Sequence, residues 1–119
     1  MRILVCGGRD YNNRLVVGST LDHLIRGAEN PVICHGGARG ADWLAGEWAK
    51  FRKIPCTVFY AQWDKYGKRA GILRNQQMLD EFKPTLVVAF PGGRGTADMV
   101  ARSRAQKIPV MEITDELIH

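Results

Sequence analysis

Several familiar signatures are missing from this chain, and each absence narrows the field. No segment approaches the ~18–20 consecutive apolar residues of a membrane-spanning helix. The most continuous apolar run, residues 85–90, is one strand long. The N-terminus enters a strand-like segment directly, without the long apolar region and small-residue cleavage site of a signal peptide. The three cysteines, Cys6, Cys34 and Cys56, are far apart and odd in number. No Cys-x-x-Cys occurs, which argues against both a disulfide framework and a zinc site. Each cysteine falls in an expected strand, where a free thiol usually serves as a small buried hydrophobe. A reducing, cytoplasmic setting fits, with no membrane partner, no metal and no cofactor. The chain also lacks the Gly-x-x-x-x-Gly-Lys-Ser/Thr loop of ATPases and the Gly-x-Gly-x-x-Gly fingerprint of nicotinamide dehydrogenases.

Acidic residues are in deficit: 12 Asp plus Glu against 17 Lys plus Arg, a formal net charge of +5. The excess favours an anionic partner, either a phosphorylated small molecule or nucleic acid. The chain has 119 residues, 45% hydrophobic and 24% charged. Such a chain makes one ordinary globular domain, residues 1–119. A cleft between two lobes is excluded; a site shared between subunits is not.

Short β-rich runs alternate with helical patterns. Strands are expected at residues 2–6, 31–35, 56–61, 85–90 and 109–113. A first helix, capped by Asn12 or Asn13, presents Leu15, Val16, Leu21, Leu24 and Ile25 on its apolar face. A second, residues 41–52, buries Leu44, Trp48 and Phe51. A loop with Trp63, Tyr66 and Gly67 leads to a third helix over 71–82, and a fourth runs from the turn at 91–96 to about Gln106. A short polar tail follows the last strand. Continuous apolar strands separated by amphipathic helices predict an α/β fold: an open parallel sheet of about five strands covered on both faces. Right-handed crossovers then bring every strand-to-helix loop to one edge, where such sheets bind ligands.

Three groups among the 13 glycines follow three strands: Gly7-Gly8, Gly36-Gly37 with Gly40, and Gly92-Gly93 with Gly95. All three are expected at that one edge. Glycine admits close backbone approach, and a helix N-terminus adds free donors and partial positive charge, the makings of a phosphate cradle. Pro91-Gly92-Gly93-Arg94-Gly95-Thr96 is the sharpest case, with Thr96 able to cap the helix and donate its hydroxyl. Arg9, Arg39, Arg69, Arg74 and Arg94 fall in or beside these loops, and the guanidinium fork suits bidentate phosphate contact. Arg74 and Arg39 are the leading candidates. His35, before the second turn, has the chemistry to donate to a phosphate or exchange a proton, or to serve as a hydrogen-bonded structural residue. Trp63 and Tyr66 are placed to stack on a nucleobase or to pack their loop against the sheet.

These segments resemble a known family. Pro91-Gly92-Gly93-Arg94-Gly95-Thr96 looks like the PGGxGT motif of the SLOG superfamily. That group includes the Lonely Guy phosphoribohydrolases, the lysine-decarboxylase-like proteins and DNA-processing protein A. Cys34-His35-Gly36-Gly37-Ala38-Arg39-Gly40-Ala41-Asp42 is similar to the glycine turns of the same proteins. Arg69, Arg74-Asn75 and Met78 stand where the phosphoribohydrolases carry an Arg-Lys pair and Met. The small YspA-type branch, with its GGRDY, HGGARGAD, RAGxxRNxxM and FPGGxGTxxM segments, is the nearest likeness, and it covers residues 2–113. The resemblance implies a Rossmann-like sheet that binds a nucleotide or nucleotide-derived ligand, with Asn75 beside Arg74 at the site. It also implies a homodimer or higher homo-oligomer, to which large aromatics on the outer helices contribute. Phosphoribohydrolases carry Glu three residues after the motif Thr; here that position is Met99, and Asp98 lies about 100° round the helix from it. Cleavage of an N-glycosidic bond, the alternative to simple binding, therefore needs a carboxylate from elsewhere. Asp10 and Asp42 are the candidates, followed by Asp64 and Asp98; for Asp42 and Asp98 the other use is to stabilise a helix's first turn. Single-stranded DNA binding, as in DNA-processing protein A, is a third reading, drawn from the charge and the Arg74-Asn75 segment.

Overall fold

The computed structural model describes residues 1–114, so the expected polar tail lies outside them beyond Thr114. Five parallel strands form one sheet: β1 (Arg2–Cys6), β2 (Val32–His35), β3 (Cys56–Val58), β4 (Leu86–Ala89) and β5 (Val110–Glu112). Their order is β3-β2-β1-β4-β5. The helices are α1 (Arg14–Ile25), α2 (Ala41–Arg52), the short α3 (Trp63–Tyr66), α4 (Ala70–Gln77) and α5 (Arg94–Ala105). This is the expected Rossmann-like α/β sheet. The chain winds outward from β1 to β3, then returns to build β4 and β5 on the other side. The order therefore reverses between β1 and β4, whose carboxyl ends are paired at Cys6 and Ala89.

Alternate residues of each central strand face opposite layers, as the period of two requires. Ile3, Val5, Ile33, Val88 and Phe90 pack under α1 and α2 with Val17, Leu21, Leu44 and Trp48. Leu4, Cys6, Cys34, Val87 and Ala89 meet Met78, Leu79, Phe82, Met99 and Val100 from the other layer. Each fully buried large side chain contributes about 1.5–3 kcal/mol. Helix α1 begins at Asn13, whose Oδ1 accepts from the Val16 N–H at 3.1 Å. Helix α4 begins one residue earlier than expected and winds into a wider π turn, Met78–Phe82. Among the described residues no helix is long and apolar enough to cross a membrane.

Three expected burials do not hold. Leu15 is 78% exposed, because the buried stripe of α1 is centred on Val17 and Leu21, almost half a turn away. Phe51 is 80% exposed. The stripe of α2 runs instead through Ala41, Ala45, Trp48 and Ala49, whose three alanines let the helix sit close on the sheet. Cys56 is exposed because β3 is the sheet's edge strand. That strand is also shorter than expected: one further bond joins the Phe59 N–H to the His35 carbonyl, and the chain then leaves the sheet.

Candidate functional site

The three glycine turns meet at the carboxyl edge and pack against one another. The Gly8 N–H donates to the Pro91 carbonyl at 2.9 Å, and the Gly8 carbonyl accepts from Tyr11 and Ala41. Gly40 has φ +79°, and a Cβ there would strike the Gly8 and Arg9 backbone. Only glycine closes this junction without strain.

Beside the junction, at the switch between β1 and β4, lies a cavity of about 570 Å³. Its β1 wall is Cys6, Gly7, Gly8 and Arg9; its α5 wall is Gly93, Arg94, Gly95, Thr96 and Asp98. Arg74 and Asn75 of α4 and Met78 of the π turn also line it, as do Asp42, Trp63 and Lys68. A second hollow of about 390 Å³ adjoins it, lined by Gly36, Gly37, Arg39, Tyr60 and Ala61. Both hollows share Arg9, Ala38, Trp63 and Arg74. Most expected ligand residues thus converge on one edge.

The turns differ in their free donors. In the second turn the N–H groups of Gly36, Gly37 and Ala38 are occupied. Asp42 Oδ2 accepts from Gly36 and Ala38, at 3.1 and 3.2 Å, and His35 Nδ1 accepts from Gly37 at 3.0 Å. In the third turn Gly93 precedes α5 with no side-chain cap. The N–H groups of Arg94, Gly95 and Thr96 have no acceptor among the described residues, as the first turn of a helix leaves them. A Cβ built at Gly93 or Gly95 meets nothing within 4 Å. Thr96 does not cap the helix: it lies inside the first turn, and its hydroxyl sits over Gly92.

Polar side chains tie the walls together. Arg74 donates from Nη1 to the Gly36 carbonyl and from Nε to Asn75 Oδ1 at 3.2 Å. Asn75, only 4% exposed, passes the connection on, donating from Nδ2 to the Gly95 carbonyl at 3.1 Å and to Asp98 Oδ2 at 3.0 Å. Arg102 Nε donates to the same oxygen at 2.8 Å. Both bonds of Asp98 fall on Oδ2, so Oδ1 has no hydrogen-bond partner among the described residues. The same holds for Asp42.

Burial governs the titrating groups. It pushes Asp42 up to about 6 against the pull of the Ala38 and Gly36 N–H bonds and the Arg74 charge. It drives His35 down to about 4, helped by Arg74. The imidazole that accepts from Gly37 is therefore neutral at pH 7. Cys6, although it lines the cavity, has its thiol pushed up to about 12 by burial and is no nucleophile.

Not every expected residue reaches the cavities. His35 is 6% exposed, with its ring against Gly46, and braces the second turn. The side chain of Asp10 is 94% exposed, 3.4 Å from Arg39, and lines neither cavity. Arg39 reaches only the outer hollow. Arg69 is exposed in a 3₁₀ turn outside both, while its neighbour Lys68 lines the inner one. Pro91 and Gly92 stand behind the cradle, where Pro91 holds Gly8. Met99, the position of the phosphoribohydrolase Glu, is fully buried in the core. Asp98 and Lys68 were outside the principal candidates. The sequence places Asp98 behind Asp10 and Asp42 as a candidate, although its position two residues after Thr96 is a signal for it. Among the described residues no group of three His, Cys, Asp or Glu is disposed to hold a metal ion.

Comparisons with known proteins bear on the family and the fold. Over 124 aligned residues the chain is 37% identical to the Gene 61 protein of Mycobacterium phage D29, covering 97% of this chain and 98% of that protein. A UDP-GlcNAc 2-epimerase from Neisseria meningitidis, solved bound to UDP-GlcNAc, superposes with a TM-score of 0.62 at 18% identity. That match covers 95% of this chain but only 32% of the epimerase, so it bears on the fold alone. Residues 1–66 match the model of the family described as YAcAr: YspA, cpYpsA-related SLOG family. The chain belongs to the YspA, cpYpsA-related SLOG family.

Proposed function

We propose that this chain binds a nucleotide or nucleotide-derived phosphorylated ligand at the carboxyl edge of its sheet, with a phosphate on the N-terminus of α5. One observation carries the reading: three uncapped residues whose N–H groups have no acceptor among the described residues line a cavity of about 570 Å³ at the switch point. Such donors, with the helix dipole behind them, favour an anion. Arg9, Lys68, Arg74 and Arg94 add positive charge to the walls. The volume falls within the usual ~300–1,000 Å³ of small-ligand sites. Asp98, with one free carboxylate oxygen in the same wall, is suited to accept a hydrogen bond from a ligand hydroxyl.

Isothermal titration with a panel of nucleoside 5′-monophosphates tests this. Binding is expected for at least one member, and Gly95→Leu is expected to weaken it about 10-fold or more, roughly 1.4 kcal/mol. The new side chain starts in open space, so the fold is kept while the cradle is obstructed. Equal affinity in the variant contradicts the placement of the phosphate.

A second reading, N-glycosidic cleavage, is favoured by one feature: Asp98 and Asp42 both line the cavity. Release of free base from a monophosphate, lost in Asp98→Asn but kept in Asp10→Asn, supports it. Absence of turnover alongside binding leaves the chain a binding module.

A further inference from the structure

The outer hollow has a character of its own. Its lining includes three arginines, Arg9, Arg39 and Arg74, and no carboxylate, whereas the inner cavity contains Asp42 and Asp98. Two aromatic side chains stand open in it: Tyr60 is 69% exposed and Trp63 46%. Tyr60 lies against Gly37, where a Cβ would collide with its ring. Trp63 stands at the boundary of the two hollows with the Arg9 guanidinium 5.4 Å from its ring centre. Among the described residues Arg39 is held only by the long contact to Asp10 between two exposed side chains, a pairing too weak to keep it from a ligand anion. The N–H groups of Gly36, Gly37 and Ala38 are spent on Asp42 and His35. An anion here is therefore met by guanidiniums rather than by backbone. Open aromatics beside arginines suit a base attached to a phosphate, through stacking and charge together.

We propose that the ligand extends through the shared boundary into this hollow and carries a second phosphate and a second base. The chain is then a receptor for a small dinucleotide-sized molecule rather than for a mononucleotide. This rests on the phosphate reading above. The shared chemistry of two bases and two phosphates has two sources, a phosphodiester and a diphosphate link, and it also occurs within a longer strand.

Affinities for AMP, for the 5′-phosphorylated dinucleotide pApA, for diphosphate-linked diadenosine and for a ten-nucleotide single strand separate these cases. They are measured on the intact chain and on Tyr60→Ala, Tyr60→Phe and Arg39→Ala. One of the two dinucleotides is expected to bind at least about 10-fold tighter than AMP, the strength of one stacked base. Tyr60→Ala and Arg39→Ala are expected to remove that advantage while leaving AMP affinity within about twofold, and Tyr60→Phe to retain it. AMP binding as tightly as both dinucleotides, or losing as much in the variants, overturns the second subsite but leaves the phosphate reading standing. Absence of binding by all the compounds, and by every member of the monophosphate panel above, overturns both. Tighter, steeply salt-dependent binding of the ten-nucleotide strand overturns the small-ligand assignment in favour of a nucleic acid.

Discussion

The second and third glycine turns look alike in the sequence and do opposite things. In the second, Asp42 and His35 take up the N–H groups of residues 36, 37 and 38. Arg74 claims the Gly36 carbonyl. In the third, the N–H groups of residues 94, 95 and 96 have no acceptor among the described residues, and Gly93 and Gly95 face open space. Glycine in the second turn is a packing device; in the third, Gly93 and Gly95 leave the backbone uncovered. A glycine cluster at a helix start is therefore an anion site only when nothing in the protein has already taken its donors.

The largest effect that sharpens this contrast is on stability. Gly40→Ala forces a side chain onto a residue at φ +79° facing the Gly8 carbonyl. It is expected to cost about 3 kcal/mol in chemical denaturation. A loss below about 1 kcal/mol breaks the view of the junction as tightly interlocked.

Next in size is the pH dependence of the second turn. His35 is held down near 4, below its ordinary 6.5, so its contribution to stability is present above 6.5 and lost as pH falls toward 4. Asp42 is raised from 3.8 to about 6, so its contribution is present below 3.8 and lost as pH rises through 6. The two oppose each other in the window between. Denaturation of His35→Asn, which keeps an acceptor for Gly37, is expected to show stability falling as pH rises from about 4 to 6. Asp42→Asn is expected to show the reverse slope. Matching slopes in both variants contradict the assignment.

The smallest effect belongs to the third turn. Gly95→Ala meets no atom and lies inside a helix, so it is expected to stabilise the fold by about 0.5 kcal/mol. Destabilisation in a thermal melt means that the space over the cradle is not open.

Much of this was legible beforehand. The five strands, the meeting of three turns at one edge and the Asn13 cap follow from apolar runs and local spacing. The inequality of the turns did not, because donor satisfaction is a tertiary property. It needs Asp42 folded back from the first turn of α2 and the His35 ring lying under α2. A signal existed: Asp42 follows Gly36 by six residues at a helix start, the place of a side chain that bonds backwards to a turn. Asp10 misled for the opposite reason. Its neighbours in sequence line the cavity, yet its own side chain points to solvent. Leu15 and Phe51 show the limit of apolar periodicity, since each is apolar but lies off the stripe that touches the sheet.

The central claim is that the free N–H groups of α5 receive a phosphate. Amide chemical shifts of the ¹⁵N-labelled chain, titrated with a nucleoside 5′-monophosphate that binds and with the same nucleoside lacking its phosphate, test it directly. The expected result is a saturable shift at Arg94, Gly95 and Thr96 with the phosphorylated compound alone, while Gly36, Gly37 and Ala38 move much less. Shifts centred on residues 36–38 with 94–96 unmoved, or an equal response to the unphosphorylated nucleoside, would contradict it.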